Sequence, residues 1–414
     1  MKEKNQKLYK MLKIAIIILT IILVAEAIYF GIKIYKNRQS TTYYTTINSI
    51  VKDDNQFIGV GLSDFKHSNL TDYEKPGYNK PVIWVYDKDY KIKKEIKYNE
   101  GYNGVFYDVI STSDGYIAVG ALEMTEAMHK TGSTEGILVK FDKDLNIIWQ
   151  ENLQILDTTK LVKVKLDKDE NIIAVGESIY EPDIIGNHTT GGAIIVKYDQ
   201  NGNRKQTINY GGPKTGLFND VIITNDGYVA VGLTSTGTGI IFKYDFNGKE
   251  IWHNYYGYTD SKGLTSINYI NNTFVVTGSK LEEKGNTDSY KGAIVKFDNN
   301  GKLIKEEFYE KDKISRIETS IIDDDKIIAI ALYGKKENDT LINQSVILEY
   351  NLDLELQKEN KLVGDNTVTF TNLIKNNNNY LVVGHTNSKL KGFKTNGYDY
   401  YPIVIAYNKE LNQQ

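Results

Sequence analysis

The sequence predicts an all-β chain: a seven-bladed β-propeller of four-stranded antiparallel blades, preceded by one N-terminal transmembrane helix. Three observations carry that expectation. An apolar stretch lies near the amino terminus, a strand ending recurs seven times, and tight-turn residues separate the strands inside each copy.

Composition narrows the function classes. The 414 residues hold 50 basic and 53 acidic side chains, a formal net charge of -3. That balance lacks the basic surplus of a nucleic-acid binder. There is no cysteine, so disulfides, thiolate-held metals, a cysteine nucleophile and a lipoprotein anchor are excluded.

Residues 14–32, IAIIILTIILVAEAIYFGI, carry a single charge, Glu26. As a helix, this stretch covers roughly 28 Å, close to the ~30 Å hydrocarbon core of a bilayer. Lys2, Lys4, Lys7, Lys10 and Lys13 precede it, and Lys33, Lys36 and Arg38 follow. The excess of positive charge on the first side orients the amino terminus to the cytoplasm. The expected division is a cytoplasmic tail over 1–13, a transmembrane anchor over 14–36, a linker and candidate closing strand over 37–46, and the propeller over 47–414. A rival reading takes residues 14–24 as a signal-peptide core with cleavage near Ala27, at Ala25-Glu26-Ala27. Either way, the main body is expected outside the cytoplasm, at the cell membrane or secreted.

Past the anchor, an apolar run ending in an aromatic and then Asp or Asn recurs: VIWVYD to Asp87, ILVKFD to Asp142, AIIVKYD to Asp199 and GIIFKYD to Asp245. It returns as GAIVKFD to Asp298, SVILEYN to Asn351 and IVIAYN to Asn408. A strand ending in Gly precedes each copy, at Gly61, Gly120, Gly176, Gly232, Gly278 and Gly384, with Ala331 in the sixth. An earlier strand and a later one complete four per repeat, the signature of a propeller blade. The blades are expected over about 47–99, 105–153, 161–210, 217–257, 264–309, 316–363 and 368–414.

Strand order sorts the loops onto two faces. First-to-second and third-to-fourth turns are short and rich in Asn, Asp and Gly, as hairpins require. Second-to-third connections are long: 62–80, 121–135, 177–191, 279–291 and 385–401. Fourth-to-first connections share this face, and all five prolines fall in or beside the combined set, as expected of a residue excluded from paired interior strands. Binding is expected on the long-loop face, because loops on a rigid scaffold carry function. The strand-prone segment 41–47 is expected to supply or supplement the outer strand of the last blade and cover its edge.

Few constellations suggest chemistry. His67, His129, His188 and His385 fall in long loops without ligand spacing, and His253 in a fourth strand. The acidic turns lack the calcium-loop pattern. Aligning first strands stacks Ser49, Asp108, Val164, Asp220, Thr319 and Asn372 at one level of the central channel. Asp108, Asp220 and Asn372 are therefore candidate ligand-binding residues. Tyr256 and Tyr258, with Tyr400, are candidates on the long-loop side, because Tyr offers rigid amphipathic contact area for proteins or sugar faces. No catalytic residue, metal site or cofactor is assigned.

At YDFNGKEIW, Tyr244 to Trp252, and FDKDLNIIW, Phe141 to Trp149, the repeat resembles the Asp-turn-Gly-x-x-x-Trp unit of quinoprotein-type propellers. It is also similar to the repeats of bacterial extracytoplasmic seven-bladed propellers, here from Asn219 to Gly232. The resemblance implies a propeller over about 47–414 and carries over no quinone cofactor. The turn is one residue shorter, and Trp fills the docking position in two blades only. The expected function is a membrane-anchored extracytoplasmic binding module, non-catalytic, meeting an envelope protein or glycan through its long-loop face and no nucleic acid. The alternative is a channel-mouth enzyme, a metal-dependent hydrolase or a sugar oxidoreductase.

Overall fold

The computed structural model describes residues 44–414 apart from 55, 65–78, 180–190, 211–215, 282–288, 313, 338–339, 363, 391–394 and 396–398. The expected transmembrane segment, 14–36, lies outside the described residues. No helix among those described is long and apolar enough to cross a membrane.

The chain is an all-β propeller built from antiparallel meanders. The first runs β1 (Thr45–Asp53), β2 (Gln56–Asp64), β3 (Asn79–Tyr86) and β4 (Ile92–Lys97). The second is β5 (Asn103–Ser111), β6 (Gly115–Glu123), β7 (Glu135–Asp142) and β8 (Ile147–Leu153), with a short helix α1 (Glu126–Thr131) between β6 and β7. Next come β9 (Thr158–Leu166), β10 (Ile172–Ile179), β11 (Gly191–Tyr198) and β12 (Arg204–Asn209), then β13 (Gly216–Ile223), β14 (Gly227–Thr234), β15 (Thr238–Asp245) and β16 (Glu250–Tyr258). They are followed by β17 (Leu264–Ile270), β18 (Thr273–Leu281), β19 (Tyr290–Asp298) and β20 (Leu303–Tyr309). Then come β21 (Ile314–Asp323), β22 (Lys326–Glu337), β23 (Thr340–Asn351) and β24 (Leu356–Leu362). The last are β25 (Val368–Asn376), β26 (Asn379–Thr386) and β27 (Tyr401–Asn408).

This corrects the expectation of seven separate four-stranded blades. Among the described residues the strands form six sheets: four of four strands, one of eight and one of three. The eight-stranded sheet arises where Tyr290, opening β19, and Ile314, opening β21, pair in parallel and join two meanders. The last sheet stops at three strands, because after β27 only Gln413 pairs back, with Tyr407, and the Gln414 N–H reaches Ala406 O at 2.9 Å. Of the expected closing segment, residues 45–47 lie in β1, paired with β2 inside the first sheet, and Tyr44 bridges Tyr400 in parallel, just before β27 of the last sheet, while 37–43 lie outside the described residues.

The first strands of successive meanders, β1, β5, β9, β13, β17, β21 and β25, pack one against the next, and β25 packs on β1 to close the ring. Apolar side chains fill each gap between meanders. Phe106, Tyr116 and Phe141 occupy one gap, Phe218, Tyr228 and Phe242 another. Ile47, Trp84, Leu381 and Val383 fill the gap that joins the end of the chain to its start. Burying such side chains contributes about 1.5–3 kcal/mol each.

The recurrent aromatic-Asp ending is a turn device. The Asp142 carboxylate accepts the N–H groups of Asp144 at 2.9 Å and Asn146 at 2.8 Å. The chain can then pass through a left-handed residue, Leu145 at φ 69°. Asp199 and Asp245 repeat the arrangement, with Gly202 and Gly248 at φ 83° in the left-handed place. The two fourth-strand tryptophans dock on the next turn along: Trp149 Nε1–H donates to Gln200 O at 3.0 Å, and Trp252 Nε1–H to Asn299 O at 3.1 Å.

Candidate functional site

Each first strand carries a β-bulge at the same level. The ladder to the second strand skips Asn48 in β1, Tyr107 in β5, Val162 in β9 and Asn219 in β13. It also skips Thr265 in β17, Glu318 in β21 and Thr371 in β25. A bulge frees one residue from pairing and re-aims its side chain. The glycine ending the second strand sits opposite. A Cβ on Gly232 would stand 1.8 Å from Leu217 O, and one on Gly176 would stand 1.8 Å from Lys160 O.

All the skipped residues line one cavity of about 490 Å³ at the end of the channel where the long loops emerge. A second cavity, of about 430 Å³, opens at the other end, and both are bounded by Lys163, Asp220, Thr319 and Asn372. Those four residues form the waist.

At the waist, Asp108 and Asp220 are clamps between neighbouring strands. The Asp108 carboxylate accepts from Ser49 Oγ at 2.6 Å, from the Val164 N–H at 3.1 Å and from Lys163 Nζ at 3.4 Å. Asp220 accepts its neighbour's Val221 N–H at 2.9 Å and the Ile267 N–H of β17 at 3.1 Å. Burial acts to lower the Lys163 pKa, but the Asp108 and Asp220 carboxylates outweigh it and hold the ammonium above its ordinary value. Asn372 reaches Ser49 Oγ at 3.4 Å. The ladder also corrects the aligned ring. Lys163, not Val164, pairs with Val175 at the level of Asp108, and Ser266 supplies the fifth position. The turn between β9 and β10 holds five residues between the paired Leu166 and Ile172, against four between Ser111 and Tyr116, so an alignment on the second-strand glycine lands one position late.

Higher in the mouth, the buried Arg316 guanidinium lies between two carboxylates. It pairs with Asp260, and its Nε–H donates to Glu318 Oε1 at 2.8 Å. At the same mouth, Tyr44 Oη and His385 Nε2 are 3.1 Å apart, and the Tyr400 ring packs beside both, tilted against Tyr44 with centroids 4.7 Å apart and edge-on to His385 at 5.6 Å. Burial, with Lys262 adding to it, pushes His385 down to about 4, so its imidazole is neutral at physiological pH. Lys262 is exposed at the lip.

The remaining candidates divide. Tyr400 belongs to the mouth cluster, but Tyr256 does not. It is buried between strands, its hydroxyl donating to Glu306 Oε2 at 2.8 Å and its ring under Lys280. Tyr258 ends β16, paired with Thr238. His129 pairs with Glu123 at 2.5 Å and His253 with Glu250 at 2.7 Å, while His67 and His188 lie outside the described residues. Among the described residues, no three His, Asp or Glu side chains converge as a metal site would need. Sequence reasoning missed Tyr107, Arg316 and Lys262. The recurrent Gly ending was the available signal, because it marks the level at which each first strand bulges.

No family model matches the chain, and no curated protein matches it. Among solved structures, Pyrococcus horikoshii acylaminoacyl peptidase is similar at 12% identity and a TM-score of 0.48, over 90% of this chain and 52% of that one. This chain thus spans about half the length of the peptidase. A Bacteroides uniformis protein provisionally named a 6-phosphogluconolactonase is similar at 10% identity and a TM-score of 0.48, over 87% of this chain and 95% of that one. Parainfluenza virus 5 hemagglutinin-neuraminidase gives 7% identity and a TM-score of 0.38, over 78% and 90% of the two chains.

Proposed function

We propose that this chain is a non-catalytic binding module whose ligand enters the channel from the long-loop end. The observation that carries the reading is the mouth cavity of about 490 Å³, into which the bulges direct one residue from every first strand. A channel enzyme built on Asp108 and Asp220 would need a carboxylate placed to take or give a proton. Both are instead engaged as acceptors of backbone N–H groups and flank Lys163. The partner in this reading is a protein or glycan of the cell envelope. The extracytoplasmic placement belongs to the same proposal and rests on the charges around residues 14–32 and on the resemblance of the repeats to bacterial extracytoplasmic propellers.

The test is capture of fractionated envelope glycan and envelope protein by the full-length chain and by Asn343→Trp, which fills the mouth. Binding is expected to fall at least about tenfold in the blocked variant. Equal binding by the two chains would overturn the reading.

A further inference from the structure

We infer that the channel mouth recognises a neutral saccharide, through unengaged hydroxyl and amide groups set beside aromatic rings. This inference rests on the binding-module reading above and names its ligand class.

Charge gives the first argument. The two cations inside the mouth are already matched, Lys163 by Asp108 and Asp220, and Arg316 by Asp260 and Glu318. An anionic ligand would have to displace a carboxylate from its partner, and a cationic one would meet carboxylates already occupied. Breaking such buried pairs is costly. Lys262 has no ion-pair partner among the described residues, but it lies exposed at the lip, where water screens it.

The second argument is the set of polar groups left over. The hydroxyls of Tyr107, Thr319 and Thr369 and the side-chain amide of Asn343 line the cavity and have no hydrogen-bond partner among the described residues. Together they offer donors and acceptors in mixture. Sugar hydroxyls suit such a set, because each both gives and accepts. Burial raises the Tyr107 pKa, so that hydroxyl stays a donor at neutral pH.

The third is shape. Tyr44 lines the cavity with Tyr400 packed against it, and a flat ring with a polar tip suits a ligand that is apolar on one face and hydroxylated at its edge. The volume of about 490 Å³ lies in the range of small-molecule pockets. It has room for a short oligosaccharide and none for a folded partner.

The experiment is calorimetric titration of the full-length chain with tri-N-acetylchitotriose, maltotriose and a galactose disaccharide, with trigalacturonate as the acidic counterpart. At least one neutral sugar should bind saturably. Its affinity should fall about tenfold in Tyr107→Phe and in Thr369→Val, each of which removes one hydroxyl with little change of shape. Thermal midpoints measured alongside identify any variant that has lost its fold, and the other variant then carries the test. Preference for trigalacturonate, affinity unmoved in both folded variants, or no sugar binding up to millimolar concentration would overturn the saccharide assignment. If capture of envelope protein still depended on an open mouth in the Asn343→Trp comparison, the binding-module reading would stand and only the ligand class would fall. If no capture depended on it, both would fall.

Discussion

The Asp108 carboxylate accepts the Val164 N–H at 3.1 Å across the boundary between two sheets. The same relation recurs from Asp220 to the Ile267 N–H at 3.1 Å, and Ser266 Oγ takes the Ser320 N–H at 3.1 Å in the next pair. A first strand has no hydrogen-bonded neighbour on its channel side, so its buried N–H groups need another acceptor. The side chain of the preceding first strand supplies it.

Asp108→Ala should therefore destabilise the fold by about 2–4 kcal/mol. It leaves a buried N–H unsatisfied and strips Lys163 of one of its two carboxylates. Asp108→Asn keeps an acceptor for Val164 and should cost about half as much. Urea midpoints of the three chains check this. An Ala variant as stable as the parent would mean that the carboxylate is not a clamp and is available to a ligand.

Gly232→Ala places a methyl group 1.8 Å from Leu217 O, and backbone must move to make room. The expected loss is at least about 1–3 kcal/mol. Ala331 holds the corresponding position in β22, opposite Ile317, and Ala331→Gly should cost no more than about 1 kcal/mol, the entropic penalty of glycine in a strand. Comparison of thermal unfolding midpoints would reveal the asymmetry. Equal effects would remove the bulge as the reason for the recurring glycine.

His385 gives the chain an acid sensitivity of a definite sign. Its folded value is about 4, against 6.5 for the free side chain. Above pH 6.5 both states are neutral there. As pH falls from 6.5 to 4, the unfolded chain takes up a proton that the folded chain refuses, so stability declines, and below 4 the loss is complete. The total is at most about 3 kcal/mol. His385→Gln should lack this slope. Urea titrations at pH 7.5, 5.5 and 4.5 would separate the two chains, since the depressed Asp114 and Asp142 carboxylates begin to act only at lower pH. Parallel slopes would refute the assignment.

Much of the architecture was legible, because strand endings and turns are local. The aromatic-Asp signature is read by its own backbone within four residues, as Asp142 and Asn146 show, and so it survives in sequence. The number and extent of the sheets were less legible. Whether two meanders join depends on one parallel pair, Tyr290 with Ile314, and nothing in either residue announces that contact. The candidate site was half legible for a related reason. Asp108, Asp220 and Asn372 could be placed at the channel by repeat spacing, but their partners lie on other repeats. Spacing alone therefore could not tell a ligand-binding carboxylate from a clamp. Lys163 was displaced by one position, because the turn between β9 and β10 is one residue longer than its counterpart between β5 and β6.

The bulges also bear on how such a mouth can change. At a paired position, a new side chain must suit a neighbour across the ladder, and one poor choice disturbs two strands. Tyr107 and Val162 stand outside that constraint, since no second-strand residue lies opposite them. Substitution there rewrites what a visitor meets at the opening while the ladder behind it keeps its count. The scaffold and its specificity can thus vary separately, with the recurring glycine preserving the space that makes this freedom heritable.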